Sequence, residues 1–229
     1  MKQTESPLAK HIGSFFSSYL SVERGASPHT IRSYANTFVS YIDYMERKKG
    51  IKPHNLSTAS LVKVNVLGFL AWIEDTKGVT VLTRNQRLAA IHSLCRYLQH
   101  SDITHIDRWQ EILSIKFKKA HPKPMLYLSV EGVKLLLSQV PTDSITSRRN
   151  LAMLALLYDT GARVQELVSL RPCDLHLESP AYLILQGKGN KSRAVPIQDK
   201  QVCILQHYIS ENKLNREECQ TEPLFKNRN

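Results

Sequence analysis

A mainly α-helical chain with one small β-hairpin, organised as two parts joined by a basic linker, is what these 229 residues predict. Three observations carry that reading. The first 114 residues read as helix throughout, with apolar side chains returning at helical spacing. Only two short β-prone runs, residues 182 to 186 and 193 to 197, flank a turn composed of Gly187, Lys188, Gly189, Asn190 and Lys191. Between the two parts, residues 115 to 124 (IKFKKAHPKP) hold four lysines and two prolines in ten positions, which favours an extended, solvated connection.

The elements follow in order. Ile12, Phe15, Phe16, Tyr19 and Leu20 mark a helix from Leu8 to Glu23. A second begins where Ser27 can accept from the orphan N–H groups of a first turn and Pro28 takes the first helical position. Ile31, Tyr34, Ala35, Phe38, Ile42 and Met45 form its apolar stripe, and Arg47, Lys48, Lys49 and Gly50 suit its end. A third is predicted from Thr58 to Asp75, and a fourth from Thr83, as N-cap, to about His100, with Leu88, Ile91, Cys95 and Leu98 inward. Short loops make this a four-helix unit. After the linker, Ser129 caps a helix through Val140, residues 148 to 158 form a strongly apolar central helix, and a last helix follows the hairpin from Asp199 to Asn212. The expected domains are therefore residues 1–114, a linker at 115–124, and residues 125–229.

Charge narrows the partners. Lys and Arg number 31 against 20 Asp and Glu, a net charge of +11 at neutral pH, which points to a polyanion. Seventeen basic residues against nine acidic ones lie in the first 120 positions, and 14 against 11 in the rest, so the N-terminal part holds most of that signal. MKQTESPLAK carries no apolar signal region, and the longest apolar run, Leu151 to Tyr158, is too short to span a bilayer. Cys95, Cys173, Cys203 and Cys219 are widely spaced, so neither a disulfide framework nor a zinc knuckle is indicated, and reduced thiols in a cytoplasmic protein are expected.

In residues 156 to 174 (LLYDTGARVQELVSLRPCD) a helix breaks at Thr160 and Gly161 and another starts with Arg163 in its first turn. Arg163 and Glu166 are three apart and share a face. Spacing alone leaves two readings open: a surface ion pair, or a phosphate-binding arginine whose planar guanidinium is oriented by the carboxylate.

The segment TGARVQELVSL followed by Asp174, and then GKGNKSRAVPI, resemble the first arginine box and the β-hairpin lysine box of the tyrosine recombinase, or phage integrase, family, in the family's order. SPHTIRSY and residues 83 to 98 are similar to helices of its SAM-like core-binding domain. The resemblance implies a four-helix core-binding domain followed by part of an α+β catalytic domain. It also implies a DNA breaking-and-rejoining chemistry that uses neither metal nor other cofactor. Residue by residue, Arg163 is similar to the catalytic arginine that meets the scissile phosphate, and Glu166 to the acidic position supporting it. Lys188 is similar to the hairpin lysine that protonates the leaving 5′-oxygen. Lys191 and Arg193 are expected to contact the DNA backbone, as are Thr30, Arg32, Arg84, Arg87 and Arg96 on the helices. The expected partner is duplex DNA with inverted half-sites, bound by several copies when the protein is full length.

The family pattern continues with a His-x-x-Arg box and a tyrosine nucleophile, and neither follows Lys188 here. His29 to Arg32 and His105 to Arg108 fit the spacing but lie upstream, and Tyr208 reads as a residue of the last helix. The expectation is a recombinase cut off before half of its site, inactive by itself for lack of a nucleophile. The alternative is a non-catalytic remnant that occupies recombination sites or modulates the intact enzyme. A basic RNA-binding protein is a third class, without an RNP-type or GXXG motif to support it.

Overall fold

The structure is a computed structural model that describes residues 8–120, 126–187, 189 and 191–226. The chain divides into two compact units, Met1–Lys123 and Pro124–Asn229.

In the first unit, α1 (Leu8–Ser14) runs directly into a π-helical stretch, Phe15–Glu23, where a single α-helix was expected. The wider turn accommodates a knot of rings: Phe15 stacks on Tyr19 at 5.7 Å and meets Phe38 edge-on at 6.1 Å. Helix α2 (Pro28–Lys49) starts at Ser27, whose hydroxyl accepts from the Thr30 N–H at 3.3 Å, and ends at Gly50 with φ of 67°.

The third helix starts later than apolar spacing predicts. Residues Thr58–Ser60 form a separate 3-10 turn, because the Ser60 carbonyl is taken by the Tyr41 hydroxyl and the Asn65 amide, both at 2.9 Å, and α3 runs Lys63–Lys77. Helix α4 (Val81–Ser101) starts earlier than expected, with Thr80 rather than Thr83 as its cap: Thr80 Oγ1 accepts the Thr83 N–H at 3.3 Å. The periodicity also passed over α5 (Ile106–Leu113), which buries Trp109 and Ile112. These helices enclose a core of Phe15, Tyr41, Met45, Phe69, Leu88, Ile91 and Trp109, each fully buried. Burial of such side chains contributes roughly 1.5–3 kcal/mol apiece.

Residues beyond α5 stay with this core. Ile115 is buried in it, and Phe117 meets the His92 ring at 5.4 Å. The Asn85 amide pairs both ways with the Lys118 backbone, donating to its carbonyl at 2.8 Å and accepting its N–H at 3.0 Å. The Lys118 ammonium reaches Glu74 at 2.8 Å.

In the second unit, Ser129 caps α6 (Val130–Ser138), which ends two residues before the expected Val140. Helix α7 (Ile145–Thr160) is longer at both ends than its apolar run, because Ser144 accepts the Ser147 N–H at 3.1 Å and Gly161 closes it. A short α8 (Val164–Val168) and a 3-10 turn (Pro172–Asp174) lead to the sheet. Its antiparallel order is β1 (Leu175–His176), β2 (Tyr182–Gln186), β3 (Ser192–Pro196). The expected hairpin is β2–β3, its second strand displaced one residue toward the turn, and β1 is too short to leave a periodic signal. Leu183 and Leu185 point inward with Ala152, Leu156, Leu167 and Leu205. Helix α9 (Asp199–Glu211) stops one residue short of the expected Asn212, whose side-chain amide folds back to donate to the Tyr208 carbonyl at 2.8 Å. Among the described residues no helix is long and apolar enough to cross a membrane.

Candidate phosphate-binding site

The site is assembled where α7 ends, α8 begins and the β2–β3 hairpin returns. The Thr160 hydroxyl donates to the Leu156 carbonyl at 2.6 Å and accepts the Ala162 N–H at 3.2 Å, closing α7. Gly161 then takes the left-handed conformation, with φ of 59°, that side-chain-bearing residues adopt at a cost. The chain leaves that turn extended, and Arg163 (φ −71°, ψ 149°) sits as the N-cap of α8 rather than within its first turn.

Glu166 is the hub. Its carboxylate, 4% exposed, receives four donors: the Arg163 N–H at 2.9 Å, Arg163 Nη1 at 2.8 Å, and Arg193 Nη1 and Nη2 at 3.0 and 2.7 Å. A carboxylate has about four acceptor sites, so this one is saturated. The Arg193 hydrogen bonds, followed by that of the Arg163 backbone N–H, hold the Glu166 carboxyl down to about 2 from an ordinary 4.5. Arg163 remains 73% exposed and Arg193 42%.

Arg193, expected to contact the DNA backbone, pairs with Glu166 through both terminal nitrogens in a fork and stays partly exposed. A signal for this existed in the sequence, since in a strand Arg193 shares a face with Val195 and Ile197, which are apolar. The observed register sets it opposite Leu185, a buried residue, on the face of the hairpin that meets Glu166. Gly187 was likewise passed over: a Cβ at that position would stand 3.3 Å from Glu166 Oε1. Lys191 is exposed, and Lys188 lies outside the described residues.

The N-terminal cations divide. Arg32 and Arg96 are exposed. Arg84 is not on the surface as expected. It is 5% exposed, and its Nη1 donates to the Lys116 carbonyl at 3.3 Å and to Asn85 Oδ1 at 3.1 Å. Arg87 is half-buried, donating to Thr37 Oγ1 at 3.2 Å and to the Ser33 carbonyl at 3.4 Å. The Thr30 hydroxyl lies 3.0 Å from that of Ser27 in the cap of α2. Tyr208 is buried against Phe225 and its hydroxyl donates to the Leu224 carbonyl. Among the described residues no three His, Cys, Asp or Glu side chains gather as a metal site.

Comparison with known proteins gives one consistent picture. Residues 127–229 match the phage integrase family, and residues 14–102 match the phage integrase N-terminal SAM-like domain. A putative integrase/recombinase, y4rC, of Sinorhizobium fredii is 32% identical over 89% of this chain and 61% of that protein. The tyrosine recombinase XerD of Listeria monocytogenes is 32% identical over 93% of this chain and 69% of that protein. The chain thus spans about two thirds of the length of these relatives. Among solved structures, the XerH recombinase bound to palindromic difH matches with a TM-score of 0.64 and 21% identity, over 89% of this chain and 58% of that one. A lambda integrase tetramer bound to a Holliday junction gives 0.58 and 16%, over 99% and 65%.

Proposed function

The chain belongs to the phage integrase family of tyrosine recombinases, and on that premise we propose that it binds duplex DNA for site-specific recombination, with Arg163 engaging a backbone phosphate. The observation that carries this reading is the pairing of an exposed arginine with a carboxylate that a second arginine already engages through two hydrogen bonds, which leaves the pair of arginines a net positive charge to offer. Guanidinium nitrogens match two non-bridging phosphate oxygens at once and favour the extra charge that develops on them in a phosphoryl-transfer transition state. Lys188, one position beyond Gly187 in the hairpin turn, is proposed as the general acid for the leaving 5′-oxygen. Arg32 and Arg96 are proposed as backbone contacts of the helical unit.

The proposed substrate is a duplex with inverted half-sites, on which several copies assemble. Support comes from the family and from the palindromic and tetrameric assemblies of the XerH and lambda integrase complexes.

The test is binding of the chain to a palindromic duplex and to single-stranded RNA of equal length over a salt series. Tighter binding to the duplex, weakening steeply with salt, is expected. Equal affinity for the RNA overturns the reading.

A further inference from the structure

We propose that Arg193 is a positioning residue: by occupying two acceptor sites of Glu166 it keeps Arg163 free for phosphate and ties the β2–β3 arm to the start of α8. This rests on the reading that Arg163 engages phosphate.

Glu166 Oε1 takes Nη1 of both arginines, and Oε2 takes the Arg163 backbone N–H and Arg193 Nη2. Arg163 therefore spends one guanidinium nitrogen on the carboxylate, and among the described residues its Nε and Nη2 have no protein partner. Remove Arg193 and two acceptor sites open on a carboxylate that is 4% exposed. An unpaired buried acceptor is costly, and the nearest cation able to fill it is Arg163. Turning a second nitrogen inward would make Arg163 the forked partner. Charge moves the same way: two guanidiniums around one carboxylate leave one positive charge in excess, and a single guanidinium leaves none.

The hairpin shares the anchor. The Gly187 N–H donates to the Lys191 carbonyl at 2.7 Å, closing the base of the turn. A Cβ on Gly187 would stand 3.3 Å from Glu166 Oε1, 3.4 Å from the Lys191 carbonyl oxygen and 3.7 Å from Arg193 Nη1. The arm is seated on the same carboxylate that orients Arg163, so the two parts of the site are placed by one side chain.

The experiment measures duplex-DNA affinity of the 229-residue chain against salt for the unaltered protein, Arg163→Ala, Arg193→Ala, Arg193→Lys and the double alanine variant. Loss of one phosphate contact lowers the slope of log affinity against log salt by about 0.9. Arg163→Ala and Arg193→Ala are each expected to lose that much, and the double variant no more than either. Arg193→Lys is expected to recover part of it, keeping the charge but not the fork. A double variant that loses about twice as much makes Arg193 a phosphate contact in its own right and overturns the proposal, as does an unchanged slope in Arg193→Ala.

A second readout stands apart from DNA. Titration of the Glu166 carboxyl by NMR is expected to move upward in Arg193→Ala, and in Arg193→Lys should the alanine variant fail to fold; an unmoved titration overturns the proposal. Absence of salt-dependent binding by the unaltered chain instead removes the DNA reading, and the titration alone then decides whether Arg193 holds Glu166.

Discussion

Arg163 and Arg193 donate to one oxygen atom, Oε1 of Glu166, at 2.8 and 3.0 Å. Two like charges meet there because the carboxylate between them is ionised far below neutral pH. The arrangement makes the two arginines unequal: one has both terminal nitrogens committed, the other has one.

Arg163→Ala is expected to lower the melting temperature only slightly, since the backbone N–H at that position and Arg193 keep three of the four donors to Glu166, and to weaken duplex binding. Thermal unfolding beside an anisotropy titration checks it. A large loss of stability would contradict the role assigned to this arginine.

Glu166→Gln is expected to destabilise the second unit by about 2 kcal/mol, because hydrogen bonds from charged donors lose their ionised acceptor. The pH dependence has a definite sign. A carboxyl depressed in the folded state stabilises above its unfolded value, near 4.5, and that stabilisation fades as pH falls toward about 2. Unfolding followed between neutral pH and pH 2 should show a smaller acid loss in Glu166→Gln than in the unaltered chain.

Arg84→Ala and Arg96→Ala should separate folding from binding. The buried Arg84 bridges α4 to Lys116, so its loss is expected to cost about 1–2 kcal/mol of stability in the first unit. Exposed Arg96 should melt normally and bind duplex DNA more weakly when replaced. Identical behaviour of the two variants in both assays contradicts this division.

Gly161→Ala places a Cβ on a residue with φ of 59° and is expected to cost about 1 kcal/mol. Because Arg163 follows that turn by two positions, duplex affinity should fall further than the stability loss explains. Comparing the variant with unaltered protein well below both melting temperatures checks this.

Much of the fold was legible because caps and periodicity are local. Ser27, Pro28 and Gly50 bound α2, and the Gly-rich turn between two β-prone runs marks the hairpin. Elements that depend on distant partners were not. The start of α3 is set by Tyr41, nineteen residues before the Ser60 carbonyl it engages, and α5 is held by packing of Trp109 rather than by length. At the site, Arg163 and Glu166 were visible as an i,i+3 pair, whereas the partnership of Glu166 with Arg193 spans 27 positions and needs the strand register. Arg84 shows the same limit: a charged letter in a helix says nothing of whether a carbonyl from another segment waits above it.

The two-way pairing of Asn85 with the Lys118 backbone matters to anyone cutting this chain into pieces. A fragment of the helical unit that stops at Leu113 discards the buried Ile115, the ring that faces His92 and both hydrogen bonds of that amide pairing, and bares that face of α4 to water. One that continues through Lys119 keeps them. Trypsin, which needs an extended and yielding peptide around its lysine, should read the same boundary, sparing Lys116 and Lys118 longer than their exposed side chains suggest.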